Sequence, residues 1–476
     1  MTAYGEFRSQ YQGALEDSRL IFYGIRYILE NYLHRRWTED DVEKADMFFS
    51  THLAPAAGTY RYPKDLFLKF IRENDGYFPV KLEALPEGSC IHAHVPVFQL
   101  TTQGDFAPLC TFMEVLLTMV WYPSAVATLS RRCRDRIEEA FDKSVETGRD
   151  SPLLGSRLHD FGFRGCTGVE QSVLGGVAHL INFDGSDTLS AAYYAQFVLN
   201  GGEPVASSIP ATEHSVMTAW PSERAAIDNM IDQYGDGLFA CVMDSFDYAK
   251  ALGKVLPAVA QHKLDRGGYM ILRPDSGDPT EAVLMALQAA EKVFGVDVNA
   301  KGYKVPRGCG VIQGDGIKYE RLASMLEAVL EAGYSAEAVA FGMGGGLLQK
   351  VNRDTMSFAT KLSHVVYEDG TPADIMKAPL NAISKSSLPG VLAVKRVDGV
   401  PTAFPADSGE VAPEENLLRT VYDCRPVQVN WDKFTQLRRR VNDEWHALPT
   451  QADVASASLK AKVKDCLAKL RKRQTD

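Results

Sequence analysis

No two of the eight cysteines (Cys90, Cys110, Cys133, Cys166, Cys241, Cys309, Cys424, Cys466) form a CxxC pair, and their wide spacing fits neither a zinc ribbon nor a disulfide framework. That usage is expected of a reduced, cytoplasmic protein. There is no GxxxxGK[ST] loop, no GxSxG elbow and no HExxH, which removes the sequence signatures of P-loop NTPases, α/β-hydrolases and zincins. No constant-period repeat or low-complexity tract occurs. The most apolar window, 112–129, contains Glu114 and Pro123, falls short of the ~20 uninterrupted apolar residues of a membrane span, and reads as a core helix. The first residues have neither a basic and apolar leader nor an Arg- and Ser-rich amphipathic stretch, so no targeting segment is expected. With 51 basic against 61 acidic residues the net charge is −10, a balance that argues against nucleic acid as a partner.

What is present is the composition of an ordinary folded protein: 476 residues, 45% apolar and 24% charged. At one domain per ~150 residues this allows two or three domains. Residues 19–33 carry Ile21, Ile25, Ile28, Leu29, Tyr32 and Leu33 at helical spacing, and an alternating strand region follows over 89–100. From about residue 158 the pattern changes. Short apolar runs at 238–243, 269–272, 309–312 and 338–341 each end in a polar or glycine cluster, and most lead into a helical pattern. Such runs are strands buried on both faces, recurring at the length of a strand and crossover helix, and they define a parallel α/β core, either barrel or open sheet. Ligands bind at the carboxyl ends of such strands, where the polar clusters fall. Residues 369–411 read as loops and β-structure, 431–445 as helix, and 459–473 as a basic terminal helix with a solvated face.

Four clusters carry Arg, Asp and Gly together: His159-Asp160-Phe161-Gly162-Phe163-Arg164-Gly165, Arg273-Pro274-Asp275-Ser276-Gly277, Gly314-Asp315-Gly316, and Gly342-Met343-Gly344-Gly345-Gly346. Arginine offers a fork to phosphate oxygens, glycine lets backbone amides approach an anion, and aspartate can hold ribose hydroxyls or the water around Mg²⁺. The combination describes a site for a phosphorylated sugar. One such turn alone is more often a structural Asp cap.

These clusters, with Asn182-Phe183-Asp184-Gly185-Ser186-Asp187-Thr188, Ile209-Pro210-Ala211-Thr212-Glu213-His214-Ser215 and Phe341–Lys350, occur in the order and at the spacing found in the nicotinamide phosphoribosyltransferases. Supporting matches are Phe22-Tyr23-Gly24-Ile25-Arg26-Tyr27 and Trp121-Tyr122-Pro123-Ser124. The chain resembles that family over nearly its whole length. The resemblance implies an α/β fold: an irregular (β/α) barrel of the type II phosphoribosyltransferases over 151–384. A second α+β domain would be built from residues 1–150 with the C-terminal segment 385–476 packed on it. It implies transfer of the phosphoribosyl group of phosphoribosyl pyrophosphate to nicotinamide, with Mg²⁺, with ATP as co-substrate, and in a homodimer with shared sites. Partners of the nucleic acid or membrane kind are not expected.

By the same resemblance Phe161 stacks on the pyridine ring and Asp187 accepts from the carboxamide, disfavouring nicotinate by charge. Arg164 and Arg273 clamp phosphate or pyrophosphate. Ser208 and Asp275 line the base and ribose region. Asp315 with Gly314 holds ribose hydroxyls, and Gly344 and Gly345 present amides to the 5′-phosphate, a pocket completed by Arg353 and Lys361 of the neighbouring subunit. His214 matches a histidine phosphorylated from ATP, with Asp247 expected to fix its tautomer. Two departures stand out: the 476 residues contain no Thr-Asp-Ser-Tyr-Lys run, neither Tyr4 nor Tyr11 lying in a comparable motif, and Ala359 replaces a usual hydroxyl residue. His92 and His94 alternate on a strand without a third metal ligand in view, and Phe163 is expected in the core.

Overall fold

The computed structural model describes residues 1–52, 61–379 and 386–473. The chain forms two compact units. Unit 1 gathers Met1–Ala125, Arg353–Asp432 and Arg439–Asp476; unit 2 comprises Val126–Asn352 and Lys433–Arg438. The expected boundary at 150/151 therefore differs from the observed division at 125/126. The reason is that residues after Ala125 pack with the rest of unit 2, where Ser130 Oγ lies 2.9 Å from His179 Nδ1 and Arg134 donates to Asn182 O. The observed division at 352/353 likewise precedes the expected one at 384/385, which lies outside the described residues.

Unit 1 is built on a six-stranded sheet in the order Pro372–Asp374, Phe358–Val366, Thr2–Phe7, Pro96–Thr102, Val80–Ala84, Arg419–Asp423, antiparallel throughout. Its central strand Thr2–Phe7 is buried at every position. Gly5 is required there, because a Cβ would stand 2.5 Å from the Phe98 ring. The helical pattern over 19–33 is only partly realised. Arg19–Phe22 is a strand paired with Ser89–His92, and the helix begins at Ile25. Cross-strand pairing overrides the local period, since Leu20, Ile21 and Phe22 are fully buried in the ribbon. His92 bonds Ser18 at 2.8 Å and His94 lies 3.4 Å from Glu6, so each has a protein partner. Among the described residues no cluster of three or more His, Cys, Asp or Glu is placed to hold a metal.

Unit 2 holds five parallel strands in the order Leu158–Asp160, Val339–Met343, Cys309–Gln313, Tyr269–Arg273, Leu238–Val242. The sheet closes on itself. Ala240 of the last strand bridges Ala211, Ser207 bridges Gly185, and Ser186 bridges Asp160 of the first, all parallel. The alternative left open by the apolar runs is thus resolved as an irregular barrel, with two of its staves reduced to single bridges. Val339–Met343 and Cys309–Gln313 are buried throughout, as strands covered on both faces must be. Crossover helices start where a cap is encoded: Asp278 accepts from the amides of Thr280 and Glu281 at 3.0 Å ahead of Pro279–Phe294, and Ser222 caps Glu223–Tyr234.

One described helical stretch, Leu109–Ser144, is long and apolar enough to cross a membrane, and 56% of its most apolar window is buried inside the protein. The basic terminal helix, Ala457–Arg473, places Lys460 on Asp453 and Lys462 within 3.2 Å of Asp374 and 3.0 Å of Asp407. All eight cysteines are free.

Candidate active site

At the carboxyl end of Leu158–Asp160 the chain turns into Phe161, whose amide donates to Met343 O at 3.0 Å. The Phe161 ring lies across the next strand end so closely that a Cβ on Gly342 would fall 2.0 Å from it. The Arg273 guanidinium stands 5.2 Å from the ring centroid on the other strand, a cation–π contact. Arg273 Nη2 reaches Asp275 Oδ2 at 3.5 Å, while its Nε is buried without a hydrogen-bond partner. Gly314 fits the same cluster, with the Asp275 and Phe161 side chains each 3.2 Å from where its Cβ would be. Phe161, Arg273, Asp275 and Gly314 are therefore one constellation assembled from three strand ends.

His214 opens the short helix His214–Ala219 beside this group. Its Nε2 is 3.3 Å from Asp275 Oδ2 and 4.0 Å from Asp244 Oδ1, and its Nδ1 is 3.2 Å from Ser245 Oγ. Asp247, expected as its partner, is elsewhere: its carboxylate caps Tyr248–Lys250, accepting from Lys250 N at 2.9 Å. Asp-Ser-Phe-Asp offers two carboxylates three residues apart, and helix capping takes the second. The first, Asp244, is 2% exposed and accepts from the Asp275 amide at 2.9 Å and from Ser276 Oγ, leaving Oδ1 without a partner. Asp244 and Ser245 are the site residues that sequence reasoning passed over; their signal was the position directly after an apolar strand.

On the closing side of the barrel Ser208 Oγ donates to Asp187 Oδ1, both side chains being exposed to solvent. Asp187 is placed by its amide, which donates to Asp160 O at 3.0 Å. Asp160 itself is fully buried and takes the Gly162 amide on Oδ1 at 2.7 Å. Burial drives its carboxyl up to about 6, the Gly162 amide pulls the other way, and the Asp187 charge adds to the rise. Burial also lowers the His159 pKa.

Arg164 is exposed on the turn Phe163–Gly165. Phe163 is 49% exposed rather than in the core. Asp315 is exposed, its amide donating to Gln313 Oε1 at 3.0 Å. Gly344 precedes the helical turn Gly345–Leu348, whose first amides have no partner within it. Arg353 and Lys361 lie in unit 1. Arg353 donates to Phe358 O at 2.8 Å and pairs with Asp354 at 3.1 Å, and burial lowers the Lys361 pKa. Ala359 is buried opposite Glu6.

A closed parallel barrel whose strand ends bring together an aromatic platform, an arginine, carboxylates and glycines is the framework of a pentosyltransferase acting on a phosphorylated ribose. The chain belongs to the nicotinate phosphoribosyltransferase (NAPRTase) family, whose family model matches residues 156–425. It is 36% identical over 397 residues to a nicotinamide phosphoribosyltransferase of Xanthomonas campestris, covering 82% of each chain. A nicotinamide phosphoribosyltransferase of Acinetobacter baylyi is 29% identical over 445 residues, 86% of this chain and 85% of that one. Among solved structures, human nicotinic acid phosphoribosyltransferase shares the fold with TM-score 0.63 at 18% identity, over 98% of this chain and 95% of that one. The nicotinate-nucleotide pyrophosphorylase of Pyrococcus furiosus does so with TM-score 0.58 at 16% identity, over 94% and 89%.

Two outcomes follow from this geometry. Gly342→Ala must displace the Phe161 ring, and kcat/KM should fall by roughly 100-fold, as for an ångström-scale misplacement of a reacting partner, with thermal unfolding little changed; wild-type activity would contradict the packing. Asp160 keeps its proton up to about 6 in the folded state but releases it near 3.8 when unfolded. The native state thus binds more protons between those values and loses stability as pH rises through them, by roughly 3 kcal/mol in total. Asp160→Asn keeps an acceptor for Gly162 and removes this titration. Its urea midpoint relative to the parent should climb from pH 4 to pH 7 and then level off; a pH-independent difference would refute the assignment.

Proposed function

We propose that the protein joins nicotinamide to C1 of phosphoribosyl pyrophosphate, forming nicotinamide mononucleotide and pyrophosphate in NAD salvage. The observation carrying this reading is Asp187, an exposed carboxylate oriented by Ser208 at the barrel rim. There it can accept from a carboxamide NH₂ and repels a nicotinate carboxylate. The names of the two bacterial relatives support the same choice.

Phe161 offers its ring face to the pyridine, and the ring nitrogen attacks with its own lone pair, so no general base is needed. The C1–N bond forms as the C1–O bond to pyrophosphate breaks, the electron pair leaving with pyrophosphate. Arg164 and Arg273 hold the departing anion, the main catalytic effect being electrostatic and positional. The unpartnered Nε of Arg273 is a donor awaiting such an anion. Asp315 and Gly314 take the ribose hydroxyls, and the amides of Gly344 and Gly345 the 5′-phosphate.

The donor set fits Mg²⁺: Asp275 and the orphaned Oδ1 of Asp244 are hard oxygens, too few for an all-protein cage and suited to an ion carried mainly by phosphate oxygens and water. When bound it would neutralise charge on the pyrophosphate. The protein is proposed to work in the cytoplasm as a homodimer, Arg353 and Lys361 of the partner completing the phosphate pocket. An exposed apolar stripe of unit 2 supports self-association, with Leu189 (74% exposed), Tyr193 (65%) and Phe197 (55%) at successive four-residue steps and the last two rings in contact.

His214 is proposed to accept a phosphoryl group from ATP, coupling hydrolysis to tighter substrate binding. The carboxylates at Nε2 favour its N–H there, which leaves the Nδ1 lone pair, on the Ser245 side, as the atom open to phosphorus.

Asp187→Asn should lower use of nicotinamide relative to nicotinate, at a cost of about 1 to 3 kcal/mol in transition-state binding; an unchanged ratio of kcat/KM values would remove Asp187 from base recognition. His214→Ala should abolish ATP hydrolysis and ATP stimulation while slow basal transfer persists. Labelling with γ-³²P-ATP should give an acid-labile phosphoprotein in the parent only, and equal labelling of the variant would exclude His214.

A further inference from the structure

Arg438 lies in the helix Phe434–Ala447, within the short C-terminal piece that belongs to unit 2. Its guanidinium spends every nitrogen on the closing side of the barrel. Nε and Nη2 donate to Leu180 O at 2.9 and 2.7 Å, and Nη2 also reaches Phe183 O and Val205 O at 3.1 Å each. Nη1 pairs with Asp184 Oδ1 at 2.6 Å. These acceptors come from two segments. One runs from the end of Val169–Leu180 through Asp184 to Asp187; the other passes Val205 on its way to Ser208.

Here the barrel is closed by single bridges rather than a full ladder. Ser207 N donates to Asp184 O at 2.8 Å and Ser186 N to Ser207 O at 3.1 Å, and the two segments share no longer strand. A second arginine braces the same loop, Arg134 donating to Asn182 O while its guanidinium stands 5.7 Å from the Phe183 ring centroid. Arg438 bonds both segments at once. Leu180 O is also the carbonyl end of a helix, where a cation is favoured. Lysine, with one nitrogen and no fork, cannot reproduce this set of bonds.

We infer that Arg438 is a positioning residue that sets the spacing of Asp187 and Ser208, and through it the choice of amide over acid in the incoming base. The inference rests on the proposed role of Asp187 in base recognition. The bonds of Arg438 run to three backbone carbonyls and the Asp184 carboxylate. Its bonds fall on the segments that lead to Asp187 and Ser208, so its effect should be felt there more than at the strand ends bearing Arg273, Asp275 and Asp315.

The test compares Arg438→Lys, Asp187→Asn and the double variant in the full-length protein, with KM and kcat for nicotinamide, nicotinate and phosphoribosyl pyrophosphate, and Tm for each. Arg438→Lys should raise the nicotinamide KM and lower the nicotinamide-to-nicotinate ratio of kcat/KM, each by about tenfold, with the phosphoribosyl pyrophosphate KM held within about twofold. Acting through Asp187, it should add little to the ratio change of Asp187→Asn in the double variant. An unchanged ratio in folded Arg438→Lys, an equal rise in both KM values, or full additivity would overturn the inference. If Asp187→Asn itself leaves the ratio unchanged, the base-recognition reading fails first and takes the inference with it. Should Arg438→Lys not fold, Asp184→Asn removes the ion pair and leaves the three carbonyl contacts. It should then shift the ratio in the same direction by a smaller factor, and no shift would overturn the proposal.

Discussion

Closure of the parallel strands into a ring through three isolated bridges is the constraint on which the rest of unit 2 depends. All strands point the same way, so closure gathers every carboxyl end at one rim, and side chains more than a hundred residues apart become neighbours. The stave Leu158–Asp160 is the keystone of that closure. Asp160 donates its amide to Gly185 O, accepts from the Asp187 amide and takes the Gly162 amide on its side chain. One buried residue thereby orients both the Phe161 turn and the Asp187 turn, and its raised pKa reflects the cost of keeping a carboxyl in that position.

The rim alternates charge. Arg273 lies between the Phe161 ring and Asp275, Asp275 between Arg273 and His214, and His214 between Asp275, Asp244 and Ser245. In such a chain of contacts an anion arriving at Arg273 and a phosphoryl group on His214 would each alter the field at Asp275, which both side chains touch. That shared carboxylate is the group through which the proposed ATP chemistry at His214 would act on anion binding at Arg273. Glycines fulfil a separate need: at Gly342 the ring of Phe161 occupies the volume a side chain would take.

Much of this was readable in the sequence because it is local. An apolar run followed by Arg-Pro-Asp-Ser-Gly or Gly-Asp-Gly encodes a buried strand and a polar strand end in a few consecutive residues. The order of those motifs carried the family, and capping residues such as Asp278 and Ser222 marked helix starts directly. Phe161, Arg273, Asp275 and Gly314 were recognisable as a group for the same reason, each sitting just past its own strand.

What the tertiary structure decided were choices between neighbours and contacts made across long separations. Asp244 and Asp247 are chemically equal in the sequence, and only the direction of the turn sends one toward His214 and the other to cap a helix. Phe163 is apolar but sits on a turn that faces solvent, and Ile21 fits a helical period with Ile25 and Ile28 yet is claimed by strand pairing. Arg438 carries no local sign of its role, since its partners stand more than 230 residues earlier. Periodicity and motifs report what a segment prefers on its own, whereas the partner of a carboxylate or guanidinium is set by how the closed barrel brings distant segments together.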